Sequence, residues 1–591
     1  MVAKNEIYDV KIEDIGTEGQ GIGHIDGEAV FVKDTLPGDF AKVKIIKAKK
    51  NLAYGRLMEV LEPSESRTEP RCEVARACGG CTLQHMDYNA QLEYKWNKVM
   101  ELLKRVGGVD EPERLMEYVG TDGTVHTDPE DDCAGVECAE ADDNGDVNQQ
   151  KLAYGLEYPY NYRNKMQFPV GLDKEGKAVL GFYAGRTHSI IPLTDCVIGH
   201  PVNKYIIKAV KEYIDKYKIS VYDEEKHVGL IRHILTRVGF HTNELMVCLV
   251  INGEKLPHAE ELYEALFKAV EEYNTDTKKD IVFRSFMINI NKDKTNRILG
   301  FSSKILKGEA FISDYIGDIK FNISPESFFQ INPEMTEKLY GKALEYAELS
   351  GGETVWDMYC GIGTISLFLA RKAAKVFGVE IVPQAIEDAE KNAELNGLTN
   401  AEFFVGKAEE IVPELYDKDA DTYRADVVVV DPPRKGCDEK LLQTIVEMAP
   451  KRLVYVSCDP ATLARDIKYL AENGFTLEKV AVFDQFSHGV HVETVVLLGW
   501  NGNRDDYMYI DYEPDHSEVS HGKATYREIT EYIQQKYGFH VTNLNIAQVK
   551  DKCGFEKREN YNLGKEGHRV PQVTPEKERA IIEAFKYFKM L

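Results

Sequence analysis

The sequence predicts a multidomain α/β chain: an N-terminal OB-like β-barrel, a central α+β domain, a doubly wound, Rossmann-like α/β domain and a small helical C-terminal extension. Three observations carry this reading. The 591 residues correspond to about four domains at roughly 150 residues each. Between residues 326 and 500, strand-like and helix-like runs alternate, the pattern of a mostly parallel sheet covered on both faces. Residues 1–61 instead consist of short alternating runs split by Gly, Asp and Pro.

Composition sets the class. Hydrophobic residues make up 43% and charged residues 29%, which excludes wholesale disorder, collagen and a small disulfide scaffold. No apolar run approaches the roughly 18 residues of a membrane span, and the start, MVAKNEIYDVKIEDIG, has no apolar signal core. The expectation is a cytoplasmic protein without a membrane partner. Eleven cysteines, an odd number on a long chain, favour reduced, metal-bound or catalytic thiols. The net charge of −25 is unevenly spread: Asp110 to Asn148 holds 14 carboxylates and one Arg, a net of −13. Such a stretch buries too little apolar surface to offset chain entropy, so 110–150 is expected to be a disordered insertion.

The barrel runs are EIYDVKIEDI, EAVFVKDT, DFAKVKIIKAKK and LAYGRLMEVLEP, with the glycines of TEGQGIGHIDG suited to tight turns. Five strands at this spacing fit a barrel of oligonucleotide-binding type. Lys42, Lys44, Lys47, Lys49, Lys50 and Arg56 fall late in it, either to track a phosphate backbone or as a solvated face. Residues 62–325 hold a cysteine-bearing loop, the helix AQLEYKWNKVMELLKRV, the insertion, and then alternating strands and helices. Residues 501–591 read as a polar linker followed by helices, with 13 Lys+Arg against 9 Asp+Glu from His521 onward.

Within 326–500, strand TVWDMY runs into Cys360-Gly361-Ile362-Gly363 and a helix, and glycine there lets backbone approach a ligand. The next strand, VFGVE, ends at Glu380, about 20 residues on, where an acid can bind both ribose hydroxyls of an adenosine ligand. Without a third glycine for a pyrophosphate, S-adenosylmethionine suits the site better than NAD. The alternative for Glu380 is a surface acid that caps a helix. Strand ADVVVV delivers Asp431-Pro432-Pro433-Arg434 to the same edge, as a wall between cofactor and substrate or as a plain proline turn.

Strand RLVYVS leads into Cys458-Asp459-Pro460 and a helix; Asp459 is a good N-cap and Pro460 suits the first helical position. Beside a helix N-terminus, the Cys458 thiol is expected to have a lowered pKa, although a buried Cys is more often inert. In FDQFSHGVHVETVVLL, Glu493 precedes the last apolar strand, with His488 and His491 nearby. A thiolate, a carboxylate and a methyl donor at one sheet edge point to methylation of pyrimidine C5. Thiolate addition at C6 makes C5 nucleophilic, and a base must then remove the C5 proton. Cys458 is the expected nucleophile and Glu493 the base.

These motifs resemble a known family. SPESFFQIN (324–332), WDMYCGIGT, FGVE, VVDPPRKG, VYVSCDPATLARD and HVETVVLL together look like the S-adenosylmethionine-dependent RNA uracil-5 methyltransferases, in the family's order and over about residues 1–500. The resemblance implies that the barrel is a TRAM domain, that Gln330, Tyr359, Glu380 and Asp431 contact the cofactor, and that Cys458 and Glu493 are nucleophile and base. Asp459 departs from the Asn of many members, though both cap helices. Tyr162-Arg163-Asn164-Lys165 and Arg232-His233 belong to the same signature as candidate RNA contacts.

Cys72-x5-Cys78-x2-Cys81 is a strong metal-ligand signal that needs a fourth thiol. Cys196 lies beyond the insertion in an apolar setting; Cys133 and Cys138 lie inside the insertion. Thiolate chemistry alone fits zinc and iron–sulfur equally. The resemblance implies a [4Fe-4S] cluster on Cys72, Cys78, Cys81 and Cys196. With the barrel, it implies 23S rRNA as substrate and partner, tRNA as the alternative, and no obligate protein partner. A tRNA T-loop methyltransferase, a non-catalytic RNA-binding module and a nitrogen methyltransferase using the DPP loop are the competing readings.

Overall fold

The computed structural model describes residues 2–120, 124–126, 151–185, 187–193 and 195–501, and toward the C-terminus 526–537, 546, 549–550, 552–553 and 575–588. The chain separates into two compact units, 1–506 and 507–591.

The first unit opens with a closed barrel. Strands β1 (Ile7–Ile15), β2 (Gly21–Ile25), β3 (Glu28–Lys33), β4 (Phe40–Ala48) and β5 (Leu52–Glu62) follow the order β1-β2-β3-β5-β4. Their alternation turns Val10, Ile12, Val30, Val32, Val43 and Ile45 inward, all fully buried. The barrel is tight enough that a Cβ on Gly55 would lie 2.2 Å from a Val43 methyl. Lys47, Lys49, Lys50 and Arg56 stay exposed.

Helix α1 (Tyr88–Leu102) follows the cysteine loop; Asp87 caps it by accepting from the Ala90 N–H at 3.0 Å. The expectation of disorder from residue 110 is corrected by the next segment. Met116, Glu117 and Tyr118 are at most 3% exposed. Met116 makes an isolated parallel bridge with Val480, and Tyr154 with Phe483, so the residues flanking the insertion dock on the edge of the doubly wound sheet. Val119 and Leu152 pair antiparallel and close the root of the insertion. Within it, the short strands β6 (Tyr118–Val119) and β7 (Val125–His126) form a two-stranded ladder. A net charge of −13 hid this buried segment. The rest of the insertion, with Cys133 and Cys138, lies outside the described residues.

The central sheet contains β8 (Lys165–Leu172), β9 (Ala178–Tyr183), β10 (Ile190–Pro192), β11 (Ile231–Val238), β12 (Glu244–Ile251), β13 (Val282–Ile290) and β14 (Ser302–Gly308), ordered β10-β9-β8-β11-β12-β13-β14. Helices α2 (Val202–Tyr217) and α3 (Ala259–Thr277) pack against it. The parallel β12–β13 pair is joined through α3, as a parallel crossover requires. A hairpin, β15 (Ile312–Ile316) and β16 (Ile319–Ile323), leads onward.

The doubly wound sheet has α4 (Pro333–Ala347), β17 (Thr354–Asp357), α5 (Thr364–Ala370), β18 (Lys375–Glu380), α6 (Pro383–Leu395), β19 (Ala401–Val405), α7 (Ala408–Lys418), α8 (Ala420–Tyr423), β20 (Val427–Val430), α9 (Glu439–Met448), β21 (Arg452–Ser457), α10 (Pro460–Glu472), β22 (Phe475–Phe483) and β23 (Glu493–Trp500). The order is β19-β18-β17-β20-β21-β23-β22. The strands are parallel except β23, which runs antiparallel to both neighbours. Central strand β20 is four valines with no exposed surface, the continuous apolar run of a strand covered on both faces. The order reverses between β17 and β20, and in such sheets the crevice at the carboxyl ends of the strands is where ligands bind.

In the second unit, α11 (Tyr526–Tyr537) and α12 (Pro575–Tyr587) share an apolar core that includes Ile529, Ile533, Ile581 and Phe585. Among the described residues, no helix is long and apolar enough to cross a membrane.

Candidate active site

Topology alone brings five chemistry-bearing residues to one edge. Asp357 and Glu380 end β17 and β18, Asp431 follows β20, and Cys458 follows β21. Because β23 is antiparallel, its first residue, Glu493, lies at that same edge, paired across from Phe483.

The glycine loop is built for close approach. Gly361 and Gly363 take left-handed φ of +54° and +82°, and a Cβ on Gly361 would meet no heavy atom within 4 Å. Cys360 turns inward instead. It is 2% exposed, and its Sγ packs 3.0 Å from where a Cβ on Gly378 would stand. Glu380 accepts from the Val382 N–H at 2.9 Å, which holds its carboxylate at the strand end. Gln330 is buried: the Asn164 amide donates to its carbonyl at 2.8 Å, and the Gln485 amide approaches its side-chain oxygen at 3.4 Å. Tyr359 is half-buried beside Cys437, and burial raises its phenol pKa. Asp357 was not singled out from sequence. It is 1% exposed, accepts from Ser366 Oγ at 2.6 Å, and is pushed up to about 6 by burial. Its signal was an acid ending an apolar strand just before the glycines.

Cys458, Glu493, Asp431 and Arg434 form one electrostatic group. Burial first, then the carboxylates of Glu493 and Asp431, push the Cys458 thiol up to about 12, against Arg434. Glu493 is 4% exposed and held well above the usual carboxylate range by burial, then by Asp431. Asp431 is pushed up to about 7 by burial, then by Asp357. The expectation of a depressed thiol pKa is therefore corrected. Asp459 accepts from the Ala461 and Thr462 N–H groups at 3.0 and 3.2 Å, so the positive end of α10 is spent on its own cap.

Of the two histidines, His491 feels Arg434 of this group and His488 lies outside it. His488 is 2% exposed and lowered to about 4 by burial; it sits in the loop before β23 at a φ of +66°. His491 is exposed at its side chain, and its pKa is lowered, first by burial.

The signature residues expected to touch RNA are mostly structural. Arg232 is 5% exposed and donates to the carbonyls of Asn291 and Asp293 at 2.8 Å each; His233 is 8% exposed. Tyr162 donates to the Ser487 carbonyl at 3.0 Å. Asn164 bonds the backbone of Gln330, as above, and of Ile331. Arg163 and Lys165 instead line a cavity of about 300 Å³ that Cys72, Cys78, Cys81 and Cys196 also line. Burial raises the Cys72, Cys81 and Cys196 thiols, and each is raised further by other cysteines of the four. Among the described residues, no three His, Cys, Asp or Glu side chains converge closely enough to hold a single metal ion.

Residues 261–501 match the family model described as tRNA (uracil-5-)-methyltransferase, and residues 2–58 match the TRAM domain. A Clostridium tetani protein described as an uncharacterized RNA methyltransferase is 46% identical over 503 residues, which is 85% of this chain and 98% of the relative. A protein of the same description from Halalkalibacterium halodurans is 45% identical over 497 residues, 84% and 98% of the two chains. The crystal structure of Pyrococcus abyssi tRNA (uracil-54, C5)-methyltransferase with S-adenosyl-L-homocysteine is similar at a TM-score of 0.60 and 26% identity, over 83% of this chain and 99% of that one.

Proposed function

This chain belongs to the RNA (uracil-5-)methyltransferase family, and on that premise we propose that it forms 5-methyluridine in 23S rRNA with Cys458 as nucleophile and Glu493 as proton acceptor. The single observation that carries the mechanism is the shared environment of the Cys458 thiol and the Glu493 and Asp431 carboxylates at the switch-point edge. S-adenosylmethionine, bound at the glycine loop, supplies an electrophilic methyl group and a positive charge. The residues present suit it: left-handed glycines with open space above Gly361, a strand-end acid at Glu380, and Asp357, Gln330, Tyr359 and Asp431 around them.

The chain's own part is covalent catalysis. The Cys458 thiol gives its proton to solvent, its sulfur bonds C6 of uracil, and the C5=C6 electron pair moves toward the C4 oxygen as an enolate. C5 then takes the methyl group. The Glu493 carboxylate removes the C5 proton, the C5=C6 bond re-forms, and the C6–S bond breaks to return the sulfur. The raised pKa makes the Glu493 carboxylate, once ionised, a stronger acceptor for the C5 proton. The high thiol pKa means that Cys458 gives up its proton only when substrate and cofactor change the charge around it. The target base must leave its stack to reach a half-buried thiol. The exposed cations of the barrel supply backbone contacts.

We infer that the four-cysteine cavity holds a [4Fe-4S] cluster rather than zinc. A single tetrahedral zinc needs its sulfurs about 3.8 Å apart. Four thiols around about 300 Å³, with Arg163 and Lys165 beside them, suit a larger anionic group. Its role is to hold the central domain. Iron and sulfide analysis of anaerobically purified protein tests this; zinc without sulfide overturns it.

A tRNA substrate is the second reading, favoured by the activity named for the Pyrococcus abyssi relative. Transfer of labelled methyl groups to 23S rRNA and to tRNA lacking 5-methyluridine, with mapping of the labelled nucleotide, separates the two. Label on neither RNA refutes both.

A further inference from the structure

We propose that the buried Asp484–Lys95 ion pair is a positioning device for Glu493, which places control of the last chemical step in helix α1 rather than in the doubly wound domain. The inference rests on the role of Glu493 given above.

Asp484 opens the loop that ends at Glu493, and Lys95 lies on α1, 389 residues away in sequence. Neither side chain has exposed surface. A buried ion pair gains little stability over an apolar pair of the same volume, so what it most directly supplies is a fixed geometry. Here the geometry is over-determined. The Tyr88 and Ser487 hydroxyls donate to the second Asp484 oxygen at 2.6 and 2.7 Å. Lys95 also donates to the Phe486 carbonyl at 3.1 Å. Gln91, one turn before Lys95, accepts from the His488 N–H at 3.1 Å and meets its ring nitrogen at 3.2 Å. The cysteine loop joins in: the Thr82 and Leu83 N–H groups both donate to the His488 carbonyl at 2.9 Å. These bonds hold His488 in the left-handed region, which a non-glycine residue keeps only when its surroundings dictate it.

A loop pinned at residues 484, 486, 487 and 488 fixes where the next strand begins, and its first residue is the proton acceptor. Loosening the pins should slow removal of the C5 proton without weakening attack by Cys458. The methylated protein–RNA adduct should then outlive its normal span.

The test uses the full chain with substrate RNA and S-adenosylmethionine, and reads adduct decay on denaturing gels alongside single-turnover methyl transfer. Tyr88→Phe and Ser487→Ala each remove one hydroxyl and are mild enough to fold; Asp484→Asn removes the charge. The expected result is an adduct lifetime at least threefold longer in the mild variants and tenfold longer in Asp484→Asn, with methyl transfer within twofold of the unaltered chain. Unchanged lifetimes in folded variants would overturn the proposal, as would methyl transfer falling in step with thermal stability. If the unaltered chain itself forms no adduct and methylates no uridine, the assignment of Glu493 fails first and the proposal with it.

Discussion

Shortening the acidic insertion should be harmless up to a sharp limit, and the structure says where the limit lies. Consider two deletions. The first replaces residues 127–150 with a six-residue Gly/Ser linker. It leaves the Val119–Leu152 pairing and the β6–β7 ladder in place. For a stretch that behaves as its composition leads one to expect, cutting 24 residues to six lowers the closure entropy cost by about 1 kcal/mol. The second deletion removes 111–150. It takes away Met116 and Tyr118, each worth about 1.5–3 kcal/mol of burial. It also takes away Glu117, whose carboxylate accepts from the Tyr154 and Tyr346 hydroxyls at 2.6 and 2.7 Å and pairs with Lys342 at 2.9 Å. Two buried hydroxyls left without an acceptor cost about 1–3 kcal/mol each. The sum, about 5–12 kcal/mol, is as large as the whole stability of many domains. Thermal unfolding monitored by circular dichroism reads both: the first variant should melt within a few degrees of the parent, the second should not purify as a folded monomer. A stable 111–150 deletion would refute the account of the buried flanks, and a large loss in the 127–150 variant would refute the expectation drawn from that stretch's composition.

Other expectations follow from the site. Cys458→Ala should abolish methyl transfer while leaving S-adenosylmethionine affinity, measured by calorimetry, within about twofold; retained activity would favour direct methylation of a nitrogen. Glu493→Gln should trap a covalent protein–RNA adduct visible as a gel shift, and absence of any adduct would speak against Glu493 as base. Asp431 should make stability pH-dependent. With its pKa raised to about 7, the folded chain keeps a proton that the unfolded chain has lost, so stability falls as pH rises from about 4 to about 7. Asp431→Asn should raise the thermal midpoint at pH 8 far more than at pH 4.5, and equal shifts would contradict the assignment.

Much of the site was legible because chemistry and chain order coincide in a doubly wound sheet. Glycines, Glu380, Asp431 and Cys458 each follow an apolar strand, and a strand's end is visible in sequence. Glu493 was legible for a different reason: it begins the final apolar run, and only the antiparallel course of β23 brings that start to the same edge. Lys95 could not be read. It sits within the charged pattern of an amphipathic helix, and its partner is set by tertiary packing alone. Glu117 was misread because charge density was averaged over a window in which Met116, Glu117 and Tyr118 are buried beside the sheet edge. The Cys458 pKa was misread because burial and the Glu493 and Asp431 carboxylates, which only the fold brings beside the thiol, outweigh the helix N-terminus.

The most direct test of the central claim is mass spectrometry of the peptide linked to substrate RNA that carries 5-fluorouridine at the mapped site. Fluorine at C5 leaves no proton to remove, so the sulfur–C6 bond persists. The account predicts that tryptic digestion finds the nucleotide on the peptide LVYVSCDPATLAR, residues 453–465, with the bond at Cys458. Attachment at another residue, or free RNA from a preparation that methylates normal uridine, would contradict it.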